Sequence, residues 1–103
     1  MSIIECQLVL AFPSNLEEDV IGFLHGEPTL ARGFTLVAAE GFGQGAALDS
    51  AMEQIRGRAR RRLVLLLMSR ADARQLLERL ARALKGSRIS WWLQPIEDSG
   101  KLA

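Results

Sequence analysis

One segment of this sequence is repeated, and the repeat constrains the fold more than any other feature. The tripeptide Leu8-Val9-Leu10 occurs again as Leu63-Val64-Leu65, 55 positions later. At the same offset Ser14 aligns with Ser69, and an acidic residue follows each serine three positions on. Self-similarity at a fixed offset predicts one structural unit that is used twice.

The first copy of the unit has the pattern of a strand, a helix and a second strand. Residues 3–12 are rich in Ile, Val and Leu, which is typical of a strand. Ser14 with Glu17 predicts a capping box at the start of a helix, and a single apolar stripe follows until Gly26 ends it. Residues 33–40 predict the second strand.

The second copy repeats this order. The apolar run from Leu63 to Met68 shows no alternation, as expected for a central strand that is covered on both faces. Ser69 and Asp72 predict a second capped helix, which ends near Gly86, and residues 88–94 predict a fourth strand. Two such units predict a ferredoxin-like βαββαβ fold of the α+β class, a four-stranded antiparallel sheet with two helices on one face.

The segment between the second and third strands is irregular. Residues 41–61 are too many for a hairpin turn, which normally has about two to five residues. Gly41, Gly43 and Gly45 are poor strand material and indicate a loop. A long connector in a compact domain is usually functional or disordered, so this segment is the first candidate for function.

Length and composition narrow the class of protein. With 103 residues and 49% hydrophobic content the chain predicts a single globular domain, and a net charge of +1 argues against a general nucleic-acid binder. One cysteine excludes an internal disulfide. The first residues lack a signal-peptide pattern, and no apolar run approaches the roughly 18 residues of a membrane span. We therefore expect a soluble cytoplasmic protein without membrane insertion.

The predicted sheet carries more apolar surface than two helices can cover. Side chains alternate along a strand, so the run from Leu63 to Met68 places apolar groups on both faces, and Trp91 and Trp92 point to opposite faces. At ~25 cal/mol per Å² of apolar surface, leaving one face wet forgoes several kcal/mol. An exposed patch of this kind normally marks an interface. We expect an oligomer; the alternative is a monomer with a partly wet sheet.

Two motifs in the connector carry a resemblance to a known family. The segment Glu40 to Gly45 and the later Ile55-Arg56-Gly57 resemble the nitrogen-regulatory PII proteins, whose second strand runs into a similar Gly-Phe-Gly stretch that opens the long T-loop. The doubled β-α-β order agrees, so the resemblance spans residues 3–96. The chain is more similar still to a small PII-like family of unknown function in proteobacteria, encoded beside heavy-metal efflux systems.

The resemblance implies a homotrimer whose sheets pack inward, with ligand clefts between subunits at the base of the T-loop. Residues 1–103 would form a single PII-like domain in which 41–61 is a T-loop-like connector. Glycines let backbone N–H groups approach a phosphate or carboxylate, which favours a small anionic ligand; the alternative is a turn without a ligand. The candidate ligand-binding residues are Gly41, Phe42, Gly43, Gln44, Gly45, Arg56, Lys85 and Arg88.

The sequence also departs from the PII pattern. It contains no tyrosine, so the T-loop tyrosine that is uridylylated in PII proteins has no counterpart. The connector is shorter than a T-loop, and the glycine- and lysine-rich B-loop is reduced to Lys85-Gly86-Ser87-Arg88. The C-terminal arginines that neutralise ATP phosphates are missing, since Lys101 is the only basic residue after position 90. These departures argue against ATP and ADP sensing of the PII kind.

A dense group of arginines precedes the third strand. Clustered guanidinium groups suit recognition of phosphate or carboxylate, and such a run can also bind nucleic acid. The interpretation we favour is a solvated loop that keeps the edge of an apolar strand soluble. The residues are Arg56, Arg58, Arg60, Arg61 and Arg62.

Little in the sequence supports a metal site or catalysis. His25 lies at the end of the first helix, where it complements the helix dipole, and Cys6 lies in the first strand. Without a CxxC, an HxH or an acidic cluster we expect no zinc site within one chain, and the alternative is a site assembled across a trimer from His25, Cys6 or loop acids. No pairing of nucleophile and base is apparent, so we expect neither an enzyme nor a cofactor.

The function that follows is that of a non-enzymatic, PII-like regulatory protein. A small ligand in the intersubunit cleft would order the 41–61 connector, which then binds or releases a protein partner. The resemblance suggests a membrane transporter or a metal-efflux component as that partner. The alternative is a divalent-metal-binding tolerance protein similar to the trimeric CutA proteins, which share this fold.

Overall fold

The computed structural model describes residues 3–42 and 58–102 of the chain. Within these ranges a short 3-10 helix, Ser14–Leu16, precedes the first α-helix. No helix in the described part of the chain is long and apolar enough to cross a membrane. The main elements are β1 (Cys6–Pro13), α1 (Glu17–His25), β2 (Thr35–Phe42), β3 (Arg58–Met68), α2 (Arg70–Ala83) and β4 (Ser90–Pro95).

The four strands form one antiparallel sheet in the order β2-β3-β1-β4. The two central strands pair from Cys6 opposite Met68 to Pro13 opposite Arg61. β2 lies on the outer side of β3, and β4 lies on the outer side of β1. The predicted α+β class and the ferredoxin-like βαββαβ order are confirmed.

The two helices cover one face of this sheet. Even-numbered residues of β1 and β3 point to that face, because side chains alternate along each strand. There they pack against Val20 and Leu24 of α1 and against Leu76 and Leu80 of α2. The strand residues of this core are Cys6, Leu8, Leu10, Phe12, Val64, Leu66 and Met68, all of them buried.

The opposite face, which we call the open face, consists of the odd-numbered residues of β1, β2 and β3 and the even-numbered residues of β4. At its centre Val9 lies between Trp92 and Leu65 and is 2% exposed. Trp92 and Leu67 remain 43% and 49% exposed. The predicted excess of apolar surface is therefore present on the face away from the core helices.

The two predicted helix caps have different outcomes. The Ser69 hydroxyl accepts a hydrogen bond from the Asp72 N–H at 3.2 Å, so the cap of α2 is confirmed. The predicted capping box at Ser14 is wrong, because Pro13 takes the N-cap position of the 3-10 helix and Leu16 that of α1, neither with a side-chain cap. The 3-10 turn moves the start of α1 to Glu17, which frees the Glu17 carboxylate for another partner.

The connector is shorter than the sequence predicted. Gly41 and Phe42 belong to β2, where they pair with Ala59 and Arg58 of β3. The prediction of a loop over 41–61 is therefore wrong at both ends, since 41–42 and 58–61 are in strands. One reason is that Glu40 faces Arg60 across the two strands, and opposite charges in such a pair stabilise a sheet.

Candidate functional site

The strand directions place four of the eight predicted ligand-binding residues at one end of the sheet. β2 ends at Phe42, opposite the first residue of β3, Arg58. β1 ends at Pro13 at this same end, and β4 begins there at Ser90, which faces Ala11. We call this end, defined by Pro13, Phe42, Arg58 and Ser90, the ribbon end.

These four residues share the ribbon end but occupy opposite edges of the sheet. Gly41 and Phe42 lie on β2, whereas Lys85 and Arg88 precede β4. Two central strands separate these edges, and at ~4.8 Å per strand the separation is about 14 Å. A single chain therefore does not bring the two groups together. The other candidates, Gly43, Gln44, Gly45 and Arg56, lie outside the described residues.

On the β2 edge, the structure gives the glycine and the phenylalanine different roles. Gly41 is a paired strand residue and not the strand-ending turn that the sequence left open. Phe42 is the last residue of β2 and is 65% exposed, although it is a large apolar side chain. This edge therefore offers an exposed aromatic ring at the ribbon end.

On the β4 edge, a tight turn presents the two basic residues. After α2 the Ser87 N–H donates to the Leu84 carbonyl at 3.1 Å, and Gly86 has φ +79°, which glycine adopts without strain. The prediction that Gly86 stops the helix is confirmed. Lys85 and Arg88 flank this turn, and both residues are exposed.

The arginine run lies largely in β3, so the interpretation of Arg58 to Arg62 as a solvated loop is wrong. Arg62 Nε donates to Glu17 Oε1 at 2.7 Å, and its Nη1 donates to the Arg61 carbonyl at 3.0 Å. This ion pair joins the sheet to the start of α1. No sequence pattern indicated it, because the two residues are far apart and follow no shared periodicity.

The two residues considered for a metal site are poorly suited to one. Cys6 is in the core, its Sγ donates to the Met68 carbonyl at 3.5 Å, and burial raises the pKa of the thiol, which disfavours the thiolate that metals bind. His25 is exposed, and its ring lies 5.9 Å from that of Phe34. Among residues 3–42 and 58–102 no three His, Cys, Asp or Glu side chains are grouped to hold a metal ion.

The sequence and the fold of this chain both resemble known proteins. A family model described as "protein of unknown function (DUF3240)" matches residues 4–103. No curated protein matches the sequence. A DUF3240 family protein from Shewanella baltica OS155 has a similar structure, with 24% identity, a TM-score of 0.74 and coverage of 98% of this chain and 99% of that chain.

Two further solved structures have a similar fold. CPII, a nitrogen regulatory PII-like protein from Thiomonas intermedia K12 bound to ADP, AMP and bicarbonate, shares 13% identity over 99% of this chain and 100% of that chain, with a TM-score of 0.67. A PII-like signaling protein from Thermus thermophilus shares 16% identity over 93% of this chain and 91% of that chain, with a TM-score of 0.62. The fold is therefore PII-like, as the sequence predicted.

Proposed function

The chain belongs to the DUF3240 family and has a PII-like fold, and from this premise we propose that it is a non-enzymatic regulatory protein. It binds a small anion in clefts between the subunits of a homotrimer. Ligand binding changes how the protein contacts a partner, as in other regulatory proteins that switch between two states.

The placement of the candidate residues is the observation that carries this proposal. Gly41 and Phe42 lie on one sheet edge and Lys85 and Arg88 on the other, so only a neighbouring copy can put the two groups in one cleft. The open face supplies a reason for copies to associate, since Trp92 and Leu67 are exposed there. Burying an apolar surface of that kind stabilises an assembly.

The charges at the β4 edge favour an anion as the ligand. Lys85 and Arg88 are both exposed beside the Gly86 turn, and a guanidinium offers a bidentate fork to phosphate or carboxylate. The CPII structure contains ADP, AMP and bicarbonate. Because Lys101 is the only basic residue after position 90, we favour a compact anion such as bicarbonate or phosphate over a nucleotide triphosphate.

The partner we propose is a membrane transporter or a metal-efflux component in the cytoplasmic setting expected from the sequence. Its basis is the resemblance to the PII-like proteins encoded beside heavy-metal efflux systems. The β2–β3 ribbon, which ends in the exposed ring of Phe42, is the surface we assign to partner contact.

Thermal-shift and calorimetric titrations with bicarbonate, phosphate, AMP and ADP test which of these anions the protein binds. A ligand that binds only the folded protein raises the melting temperature with its concentration. We expect Lys85→Ala to weaken binding of the best anion by about tenfold, through loss of a charge-assisted hydrogen bond. Arg82→Ala is the matched control, because Arg82 is exposed one turn earlier on α2. Binding by a stable 11.4 kDa monomer would contradict the intersubunit cleft.

A further inference from the structure

A cavity of about 180 Å³ lies at the end of the sheet opposite the ribbon end. Leu30, Leu66 and Met68 line it and are 7%, 1% and 5% exposed, so its wall is continuous with the core. Arg32 and Asp72 line the same cavity. It therefore combines an apolar wall with one side chain of each charge.

The cavity exists because β2 begins late. Its first paired residue, Thr35, lies opposite Leu65, so the last three residues of β3 have no partner from β2. The Glu5 N–H donates to the Met68 carbonyl at 3.0 Å, which shows that the backbone of Met68 faces β1. Backbone groups of successive strand residues face alternate neighbours, so the N–H and carbonyl of Leu67 face the cavity side.

These backbone groups are available to a ligand. Within the described ranges the Leu67 N–H and carbonyl have no hydrogen-bond partner, and β2 supplies none. A donor and an acceptor thus lie side by side at a position that a further strand residue would occupy. Such a pair is suited to a group that itself carries both a donor and an acceptor.

The two charged side chains are available as well. Arg32 Nε donates to the Thr29 carbonyl at 3.4 Å, a long hydrogen bond, and the guanidinium carries further N–H donors. Among residues 3–42 and 58–102 neither Arg32 nor Asp72 forms an ion pair. Arg32 and Asp72 therefore line one cavity without neutralising each other.

We propose that this cavity binds a zwitterionic α-amino acid with an apolar side chain. The carboxylate pairs with Arg32 and the Leu67 N–H, and the ammonium group pairs with Asp72 and the Leu67 carbonyl. The side chain packs on Leu30, Leu66 and Met68. A cavity of ~150 Å³ accommodates benzene, so a side chain of valine or leucine size suits this volume.

This site goes beyond the proposed anion cleft and is separate from it. The eleven residues of β3 connect the ribbon end to the cavity, and at a rise of ~3.3 Å per residue they span about 33 Å. The protein would then have two ligand inputs of different chemistry, one at each end of its sheet.

Isothermal titration of the full-length protein with L-leucine and L-valine tests the proposal. We expect saturable binding, and we expect N-acetyl-L-leucine and L-leucinamide, which each lack one charge, to bind at least about tenfold more weakly. Arg32→Ala and Asp72→Asn should each weaken L-leucine binding by a similar factor. In Asp72→Asn the backbone N–H that Ser69 caps is retained, so α2 keeps its cap.

Arg82→Ala and Lys85→Ala serve as controls, because neither residue lines the cavity. Both should bind L-leucine as the unmodified protein does, so failure of the anion cleft and failure of this site are distinguishable. Circular dichroism confirms that each variant is folded. The absence of saturable binding, or equal affinity of Arg32→Ala and the unmodified protein, would overturn the assignment.

Discussion

The two halves of the repeat begin with similar strands but enter their helices differently. In the first half a 3-10 turn separates β1 from α1, which has nine residues and no side-chain cap. In the second half β3 leads through Ser69 directly into α2, which has 14 residues and a serine cap. The difference shows that a repeated sequence motif does not ensure a repeated local structure.

The buried positions of the two halves align at an offset of 56 and not 55. Leu8 and Leu63, which the shared tripeptide aligns, lie on opposite faces of the sheet, because a shift of one residue moves a side chain to the other face. The pattern of burial therefore identifies equivalent residues better than identical letters do. The buried pairs are Leu8 with Val64, Leu10 with Leu66, Phe12 with Met68, Val20 with Leu76 and Leu24 with Leu80.

The largest effect should come from replacing Leu8, which the structure makes equivalent to Val64. Leu8 is 0% exposed, so Leu8→Ala should lower the free energy of unfolding by about 2–5 kcal/mol at every protein concentration. Leu63 is half-buried on the open face, and if the proposed trimer forms through that face, the cost of Leu63→Ala should depend on protein concentration. Denaturant titrations at several protein concentrations compare the two variants. If both lose the same free energy of unfolding at every protein concentration, the offset of 56 is contradicted.

Most of the fold could be predicted from the sequence, because the apolar pattern identifies the same strands and helices whether the repeat is aligned at an offset of 55 or 56. The run from Leu63 to Met68 indicated a central strand, and Ser69 with Asp72 located the start of α2 correctly. The start of α1, the end of β2 and the start of β3 could not be predicted. They depend on contacts between residues distant in sequence. Examples are the ion pair of Arg62 with Glu17 and the cross-strand pair of Glu40 with Arg60.

The two adjacent tryptophans of β4 test whether the open face, and not the helix-covered face, forms the proposed contact between copies. Trp91 and Trp92 are 47% and 43% exposed, but Trp91 contacts Arg74 of α2 whereas Trp92 lies on the open face beside Val9. We expect Trp92→Glu to reduce the mass measured by light scattering to that of an 11.4 kDa monomer. A buried, unpaired carboxylate at an apolar interface is costly, so the copies separate.

Trp91→Glu is the matched control for that experiment. It removes a similarly exposed ring from the helix side of the sheet. The guanidinium carbon of Arg74 lies 5.7 Å from the centre of this ring, and loss of that cation–π contact should cost about 0.5–1 kcal/mol. The assembly should therefore survive this change. Dissociation by both variants, or by neither, would remove the open face as the basis of the proposed trimer.

The candidate site was less predictable than the fold, since its residues come from both sheet edges. The resemblance to PII proteins points to Gly41, Phe42, Lys85 and Arg88. The strand order shows that these residues share an end of the sheet but not a cleft within one chain. The cavity with Arg32 and Asp72 had no sequence signal. It arises from the late start of β2 relative to β3, which only the register reveals.

The smallest expected effect concerns the two serines that the repeat aligns. Ser69→Ala should lower the free energy of unfolding by about 1 kcal/mol, because the hydrogen bond that its hydroxyl accepts from the Asp72 N–H is lost. Ser14→Ala should change it by less than about 0.5 kcal/mol, because Ser14 caps neither the 3-10 helix nor α1. Thermal and urea unfolding of the two variants at one protein concentration make the comparison. If Ser14→Ala lowers the free energy of unfolding as much as Ser69→Ala does, a serine caps the helix in both halves. That result would contradict the conclusion that only the second half has a serine cap.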